Sequence, residues 1–366
     1  MIKDTNVNQQ FSIAKNLGLN FAAIRLPDSD DVYYFYATLA PQMVRVQYAL
    51  TDQPIFFFSP YGAGNKAYAL KPDAVYKNND CLFGELPNGT KPLAYWHEGN
   101  NADNFQADKA FFMNYVDDII ASIKLGKMDK AVAARCIEVN FTAPQQVEQL
   151  FVAACEKYPK ACVCFYSIEG IGSWFTATPE QLISTRNNTL QTVALAGTLP
   201  IDAETEWTEK ELDEQGMIEF FIHNVFTDNG FKKINLSDVE TITAGEVKHL
   251  RSTFNVHSND IILTAKFHHV LDALNPTPAV CGLPQLEASL FISAHEGLER
   301  RFYSGFIGMH LPKTTIELFV NLRCAELFAN KALLYVGAGI TAQSNAEREY
   351  LETEKKRQTI QSLLQF

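Results

Sequence analysis

The stretch Thr314–Thr341, TTIELFVNLRCAELFANKALLYVGAGIT, decides the fold class. Aliphatic, aromatic and β-branched residues crowd it, and it carries two long strand candidates, Thr314–Ala325 and Ala332–Thr341. Upstream, Lys130–Val139 reads as another strand, Ala161–Ile168 with Gly172–Thr176 as a hairpin, and Leu190–Leu195 and Ile261–Phe267 as further strands. The N-terminal part carries shorter pieces, Val32–Thr38, Val44–Leu50 and Ile55–Phe58, separated by Pro, Gly and Asp/Asn turns. Helical spacing is confined to a few segments. Phe112, Val116, Ile119, Ile120 and Ile123 share one face before Gly126 stops the helix, and Thr208–Phe226 and Ser344–Leu364 are longer. The polar run Trp96–Asp108 reads as a connector. Long strands mixed with few helices predict an α+β protein with sizeable antiparallel sheets, because a parallel sheet needs a regular βαβ alternation.

The chain has 366 residues, 47% of them hydrophobic, enough for one large layered unit or two closely packed halves. A net charge of -11 without a basic stripe argues against nucleic-acid binding, although a local pocket for a small anion remains compatible with it. The seven cysteines form no CxxC pair and read as buried thiols of a reducing compartment. The N-terminus lacks the pattern of a secretory signal, and no apolar run is long enough to span a bilayer. A cytoplasmic protein is expected, with no membrane or nucleic-acid partner.

Two helices carry acids where apolar residues belong. At 100° per residue, Glu211, Glu214, Ile218, Phe221, Ile222 and Val225 fall within an arc of roughly 100°, and Glu349, Glu352, Lys356, Ile360 and Leu363 within about 80°. A buried carboxylate is costly unless it is paired or binds a metal. Two such helices point to a shared cation, and oxygen donors without a His/Cys cluster suit Mg²⁺ better than Zn²⁺. Two plainer readings compete: Glu211 closes a capping box with Thr208, and Glu352–Lys356 is an i,i+4 pair on a solvated face. Glycines in Ala196-Gly197-Thr198 and Gly337-Ala338-Gly339-Ile340 either let a ligand approach the backbone or mark a bulge or bend. Arg323, on the strand face of Phe319 and Asn321, reads either as a guanidinium that grips a carboxylate in bidentate fashion or equally as a surface arginine. Glu180, after Thr178 and Pro179, reads on spacing alone as an acid in the first turn of a helix.

With these residues in hand, the sequence resembles the chorismate-utilising enzymes, a family of isochorismate synthases, salicylate synthases and the large components of anthranilate and aminodeoxychorismate synthases. The resemblance runs from about Phe105 to the C-terminus. It rests on ordered motifs: KxxxxR at Lys130–Arg135, TPEQL at Thr178–Leu182, LAGT at Leu195–Thr198, EKELDE at Glu209–Glu214 and KHL at Lys248–Leu250. NPTPAVCG at Asn275–Gly282, RFYSG at Arg301–Gly305, NLR at Asn321–Arg323, GAGI at Gly337–Ile340 and ExxExxxK at Glu349–Lys356 continue the series.

The resemblance implies large antiparallel sheets packed face to face with helices outside, as in anthranilate synthase component I. Residues 1–104 would be a divergent part of the same unit and 105–366 its chorismate-binding region. It implies Mg²⁺ on Glu214 and Glu352, with Glu211 and Glu349 nearby or acting through water. Tyr303, Arg323, Gly339 and Lys356 would hold the enolpyruvyl carboxylate of chorismate. Gly197, Thr198, His249, Thr277 and Gly337 would line the pocket. One position separates the branches: ammonia-using members carry Gln where this chain has Lys130. In the water-using branch, that lysine acts as base, kept neutral by burial or by a nearby cation, while Glu180 protonates the departing C4 hydroxyl. The implied activity is isochorismate synthase, feeding menaquinone or siderophore synthesis, in a monomer or at most a weak dimer. Salicylate synthase, an ammonia-using synthase and an inactive chorismate-binding protein are the alternatives. Gln215 replaces a frequent His after the metal-binding Glu, and Leu199-Pro200 replaces a frequent Arg-Pro.

Overall fold

A computed structural model of the chain describes residues 4–88, 108–142, 145–186, 188–201, 206–244, 247–257, 265–312 and 315–364. The chain begins with α1 (Asp4–Leu17), β1 (Asn20–Arg25), β2 (Val32–Ala37), β3 (Gln42–Arg45), α2 (Val46–Ala49), β4 (Ile55–Ser59), β5 (Lys66–Leu70), β6 (Ala74–Lys77) and β7 (Asp80–Gly84). Then follow α3 (Lys109–Lys124), β8 (Lys130–Asn140), α4 (Val147–Lys157), β9 (Cys162–Ile168), β10 (Gly172–Thr178), β11 (Gln181–Arg186) and β12 (Thr189–Pro200). Next come α5 (Glu209–Asp228), β13 (Ile234–Leu236), β14 (Glu240–Ala244), β15 (Val247–His257), α6 (Ala265–Leu274), β16 (Gly282–Leu283) and α7 (Gln285–His295). The last elements are β17 (Phe306–Leu311), β18 (Thr315–Val320), β19 (Cys324–Leu327), β20 (Lys331–Ile340) and α8 (Ala346–Gln361).

These strands build two antiparallel sheets. One has the order β16-β8-β20-β19-β10-β9-β1-β2-β6-β7, and the other β13-β15-β12-β11-β18-β17-β4-β5-β3, with β14 also paired to β15. The N-terminal strands sit inside both sheets: β1 lies between β9 and β2, and β4 pairs with β17. Every residue of β1 is buried, because its alternate side chains enter two different cores. Phe21 and Ala23 pack outward with α1 and α4, while Ala22 and Ile24 pack inward against the second sheet. The inter-sheet core is aromatic: Phe58 stacks on Tyr166 with centroids 4.7 Å apart, and Trp174 on Tyr335 at 5.4 Å. The second sheet covers its outer face with Ile218, Ile222 and Phe226 of α5 and Val270 and Leu271 of α6. The result is the predicted pair of face-to-face sheets with helices outside. Among the described residues, no helix is long and apolar enough to cross a membrane.

Three strand assignments need correction. Val44–Leu50 changes element at Arg45 and continues as the short helix α2, whose Val46 and Ala49, three apart, turn the same way into the core. In Ile261–Phe267, the part from Ala265 onward opens α6, and Ile261–Thr264 lie outside the described residues. The helical signal lies further on, in Phe267, Val270, Leu271 and Leu274, all buried at i, i+3, i+4 and i+7. Thr314–Ala325 is two strands in two sheets. β18 belongs to one, β19 to the other, and the chain crosses between them at Asn321–Arg323. Arg323 is therefore not on a strand face; it takes a left-handed φ of 48° in the crossover, a conformation L-residues rarely hold outside special sites. The connector Trp96–Asp108 falls outside the described residues up to Asp108, whose carboxylate accepts the Phe111 N–H and caps α3.

Candidate active site

At one end of the sheets a cavity opens between β8, β20, β12, β15 and helices α5 and α8. Its walls include Glu180, Gly197, Glu211, Glu214, His249, Tyr303, Arg323, Gly337, Gly339, Glu352 and Lys356. These positions are scattered from 180 to 356 along the chain, and only the tertiary fold brings them together.

β8 and β20 supply the floor. Val132 lies opposite Gly339 and Ala134 opposite Gly337, so Lys130, two residues before Val132, shares the face of both glycines. A Cβ on Gly339 would come within 2.8 Å of Glu214 Oε1 and 3.1 Å of Lys130 Cε, so glycine keeps this space for charged groups. Lys130 is 1% exposed, and its ammonium donates to Glu214 Oε1 at 2.7 Å. Arg135, at the other end of KxxxxR, points to the opposite face. It donates to Thr353 and pairs with Glu354, clamping β8 to α8.

The capping box of α5 is present: the Thr208 backbone N–H donates to the Glu211 carboxylate at 3.0 Å. Glu211 thus caps the helix and also lines the cavity. The buried apolar stripe of α5 starts one turn further on, which leaves Glu211 and Glu214 at the cavity while Ile218, Ile222 and Val225 enter the core. On α8, Glu352 and Lys356 form the i,i+4 pair at 2.5 Å, and Lys356 also donates to the Gly337 carbonyl at 3.0 Å. Both plainer readings of these residues are therefore physically present, but the pair faces a cavity rather than open solvent. Glu349 is buried on α8 and is not among the cavity walls.

Glu180 sits in the link between β10 and β11, not in a helix. Its backbone carbonyl accepts the Val320 N–H, and its carboxyl accepts the Thr277 hydroxyl at 3.2 Å. Burial raises its pKa from 4.5 to about 7, against the opposing pull of the Thr277 hydrogen bond and of Lys130, Lys356 and Arg323. His249 is driven the other way, to about 3, by burial and by the Arg323 and Lys356 charges. A neutral imidazole fits its hydrogen bonds: Nδ1–H donates to the Gly197 carbonyl at 2.8 Å, and Nε2 accepts from Arg323 at 3.2 Å. Gly197 holds a φ of 61° at a bulge between Ala196 and Leu199, which aims its carbonyl at His249. Arg323 gives its other terminal nitrogen to the Thr359 hydroxyl at 3.2 Å, and burial pulls its pKa below the ordinary value. Tyr303 stacks on Tyr335, which stacks on Trp174, so the aromatic core runs to the cavity wall.

Of the residues singled out in the sequence, the cavity brings together Glu180, Gly197, Glu211, Glu214, His249, Tyr303, Arg323, Gly337, Gly339, Glu352 and Lys356. Lys130 and Thr277 abut it through Glu214 and Glu180, Glu349 stands apart, and the Thr198 side chain lies outside the described residues. The sequence reading missed Glu296 and Arg300. Both are buried, and they pair at 2.6 Å. Arg300 donates to the carbonyls of Val132 and Val280, and Glu296 accepts the Ala134 N–H. The pair thereby ties β8 to the loop that carries Thr277. Its spacing, i and i+4, was visible but reads equally as a surface pair.

Three helix carboxylates, two lysines and one arginine surround a buried acid, charges chemically able to meet a small anion and, through oxygen donors, a hard divalent cation. Residues 87–365 match the family described as Chorismate binding enzyme, and the chain belongs to that family. Isochorismate synthase MenF of Escherichia coli (strain K12) is 29% identical over 291 residues, 75% of this chain and 65% of the relative. Isochorismate synthase MenF of Haemophilus influenzae is 30% identical over 266 residues, 69% of this chain and 60% of the relative. The chain thus spans less than two thirds of the length of these relatives. The solved structure of MenF, the menaquinone-specific isochorismate synthase from Escherichia coli, shares the fold. Its TM-score is 0.77 at 21% identity, covering 97% of this chain and 91% of that one.

Proposed function

We propose that the protein is an isochorismate synthase, an isomerase that adds water at C2 of chorismate as the C4 hydroxyl leaves. The observation that carries this reading is Glu180, a buried acid whose pKa of about 7 lets it hold a proton near neutral pH, close to the buried Lys130. The reaction needs one group to take a proton from the attacking water and another to give one to the leaving hydroxyl. Lys130 is the proposed acceptor and Glu180 the donor. The C2–O bond forms, the C4–O bond breaks and the ring double bonds shift, so one water enters and one departs. Arg323 and Lys356 would orient the substrate carboxylates, with Tyr303 and the neutral His249 beside them.

The donor set fits magnesium: Glu211, Glu214 and Glu352 offer only oxygen, and all three line the cavity. No preformed cluster of three or more metal-binding side chains exists among the described residues; Glu214 and Glu352 are each held by a lysine. When bound there, magnesium would supply the charge that fixes and polarises the ring carboxylate. Residues 1–104 are read as part of the same unit, since β1 and β4 pair with strands of the catalytic region. The relatives named above favour a role in menaquinone synthesis.

Incubation with chorismate and Mg²⁺, followed by chromatography, tests the reading. Isochorismate should accumulate. Accumulation of pyruvate and fluorescent salicylate would transfer the assignment to salicylate synthase, and ammonia-dependent amination to the synthases of the other branch.

A further inference from the structure

A second cavity of about 420 Å³ lies against the candidate active site, whose own free space is about 80 Å³. The two share Pro179 and Arg323 as walls. Arg323 bridges them in its hydrogen bonds: one terminal nitrogen donates to Thr359, which lines the outer cavity, and the other to His249, which lines the inner one. The outer cavity also carries Lys157 and Lys160, both exposed, and no carboxylate lines it among the described residues. Three cations with no acid among the described lining residues stand out in a chain of net charge -11. Lys157 donates to the neutral hydroxyl of Ser362, and neither lysine joins an ion pair among the described residues. The remaining wall is largely apolar, with Ile201 and Ile242 contributing. A cavity with an apolar wall and a few placed cations suits a small carboxylate-bearing ring.

We propose that this outer cavity is a capture site for the anionic substrate, which reaches the inner cavity past Arg323. This rests on the reading of the substrate as chorismate, a dicarboxylate. Lys157 and Lys160 raise the local concentration of the dianion and so speed association. Arg323 is held by two neutral acceptors, not by a carboxylate, so it can exchange either hydrogen bond for an incoming carboxylate and draw it inward.

The test is the association rate of chorismate with the Mg²⁺-loaded enzyme, followed in a stopped-flow instrument by fluorescence of Trp207. That indole lies beside Gly197 at the inner cavity and reports arrival there. The double variant Lys157→Glu/Lys160→Glu should slow association about tenfold at low ionic strength and weaken its salt dependence, with kcat retained. Ile201→Phe, which narrows the outer cavity without changing charge or adding a tryptophan, should slow association as well. Lys124→Glu/Lys127→Glu, an equal charge change at the C-terminal end of α3, should leave the rate as it is. Unchanged association in both cavity variants would overturn the capture site, as would an equal slowing by the α3 control. If chorismate binds at a rate that depends on Lys157 and Lys160 but no isochorismate forms, the proposed reaction fails and the capture site stands.

Discussion

Replacing Glu180 by Gln separates the chemistry of this residue from its effect on stability. Its pKa is about 7 in the fold against 4.5 for the free side chain, a gap of about 2.5 on the pH scale. At about 1.36 kcal/mol per pH unit, that corresponds to roughly 3 kcal/mol. The sign follows from which state binds the proton more tightly. The folded protein does, so the favourable contribution is fully present below pH 4.5 and is lost as pH rises through 7. Above pH 7, ionised Glu180 opposes folding by that amount, and Gln does not ionise. The variant should therefore gain stability relative to the parent between about pH 5 and pH 8, by roughly 3 kcal/mol, or about 4 °C in a chain of this length. It should also lose isochorismate formation by at least about 100-fold, because an amide cannot deliver the proton. The measurement is thermal unfolding of both proteins from about pH 5 to 9 in the presence of EDTA, beside activity at about pH 7.5. A stability difference that does not vary with pH would refute the reasoning, since the raised pKa would then be absent.

Other outcomes follow from the same geometry. In the parent, kcat should fall above about pH 7 as Glu180 ionises, and a pH–rate profile reads this directly. Lys130→Ala should abolish turnover, while circular dichroism shows the fold retained. Gly339→Ala places a methyl 2.8 Å from Glu214 Oε1 and 3.1 Å from Lys130 Cε, so it should cut activity about tenfold or more while thermal stability changes little, because side-chain ends can move. Arg300→Met strands the buried Glu296 carboxylate and should destabilise the fold by about 3–5 kcal/mol in chemical denaturation. Removing divalent ions with EDTA should stop turnover, and added Mg²⁺ should restore it.

The sequence made the sheets legible through their residues. Ala332–Thr341 and Lys130–Val139 were readable because each is a long run of strand-forming side chains, and they pair with each other as β20 and β8. The break at Asn321–Arg323 was not readable, because a left-handed arginine leaves no trace in a pattern of alternating apolar residues. α6 was hidden because its helical stripe starts only at Phe267. At the site, α5 and α8 stood out by acids on apolar stripes, although the Glu211 capping box and the Glu352–Lys356 pair also account for acids there. What spacing alone could not supply was partnership. That Glu214 meets Lys130, and Glu180 meets Thr277, depends on contacts 84 and 97 residues apart in sequence. The buried Glu296–Arg300 pair stayed unread for the opposite reason: its partners are adjacent, but nothing in the sequence says that water is excluded from them.

The placement of β1 between β2 and β9, and of β4 against β17, sets an order on synthesis. When Asn20–Arg25 leaves the ribosome, the strand it must join on one side, Cys162–Ile168, is still roughly 140 residues from being translated. Ile55–Ser59, with its three consecutive phenylalanines, waits about 250 residues for Phe306–Leu311. Each of these apolar strands thus lacks one of its two final neighbours for a long stretch of translation, β4 for most of it, a condition under which chaperones commonly act. A shortened form keeping only residues 87–365 would have the opposite defect: β9 and β17 would become raw sheet edges, and such a fragment should aggregate rather than fold.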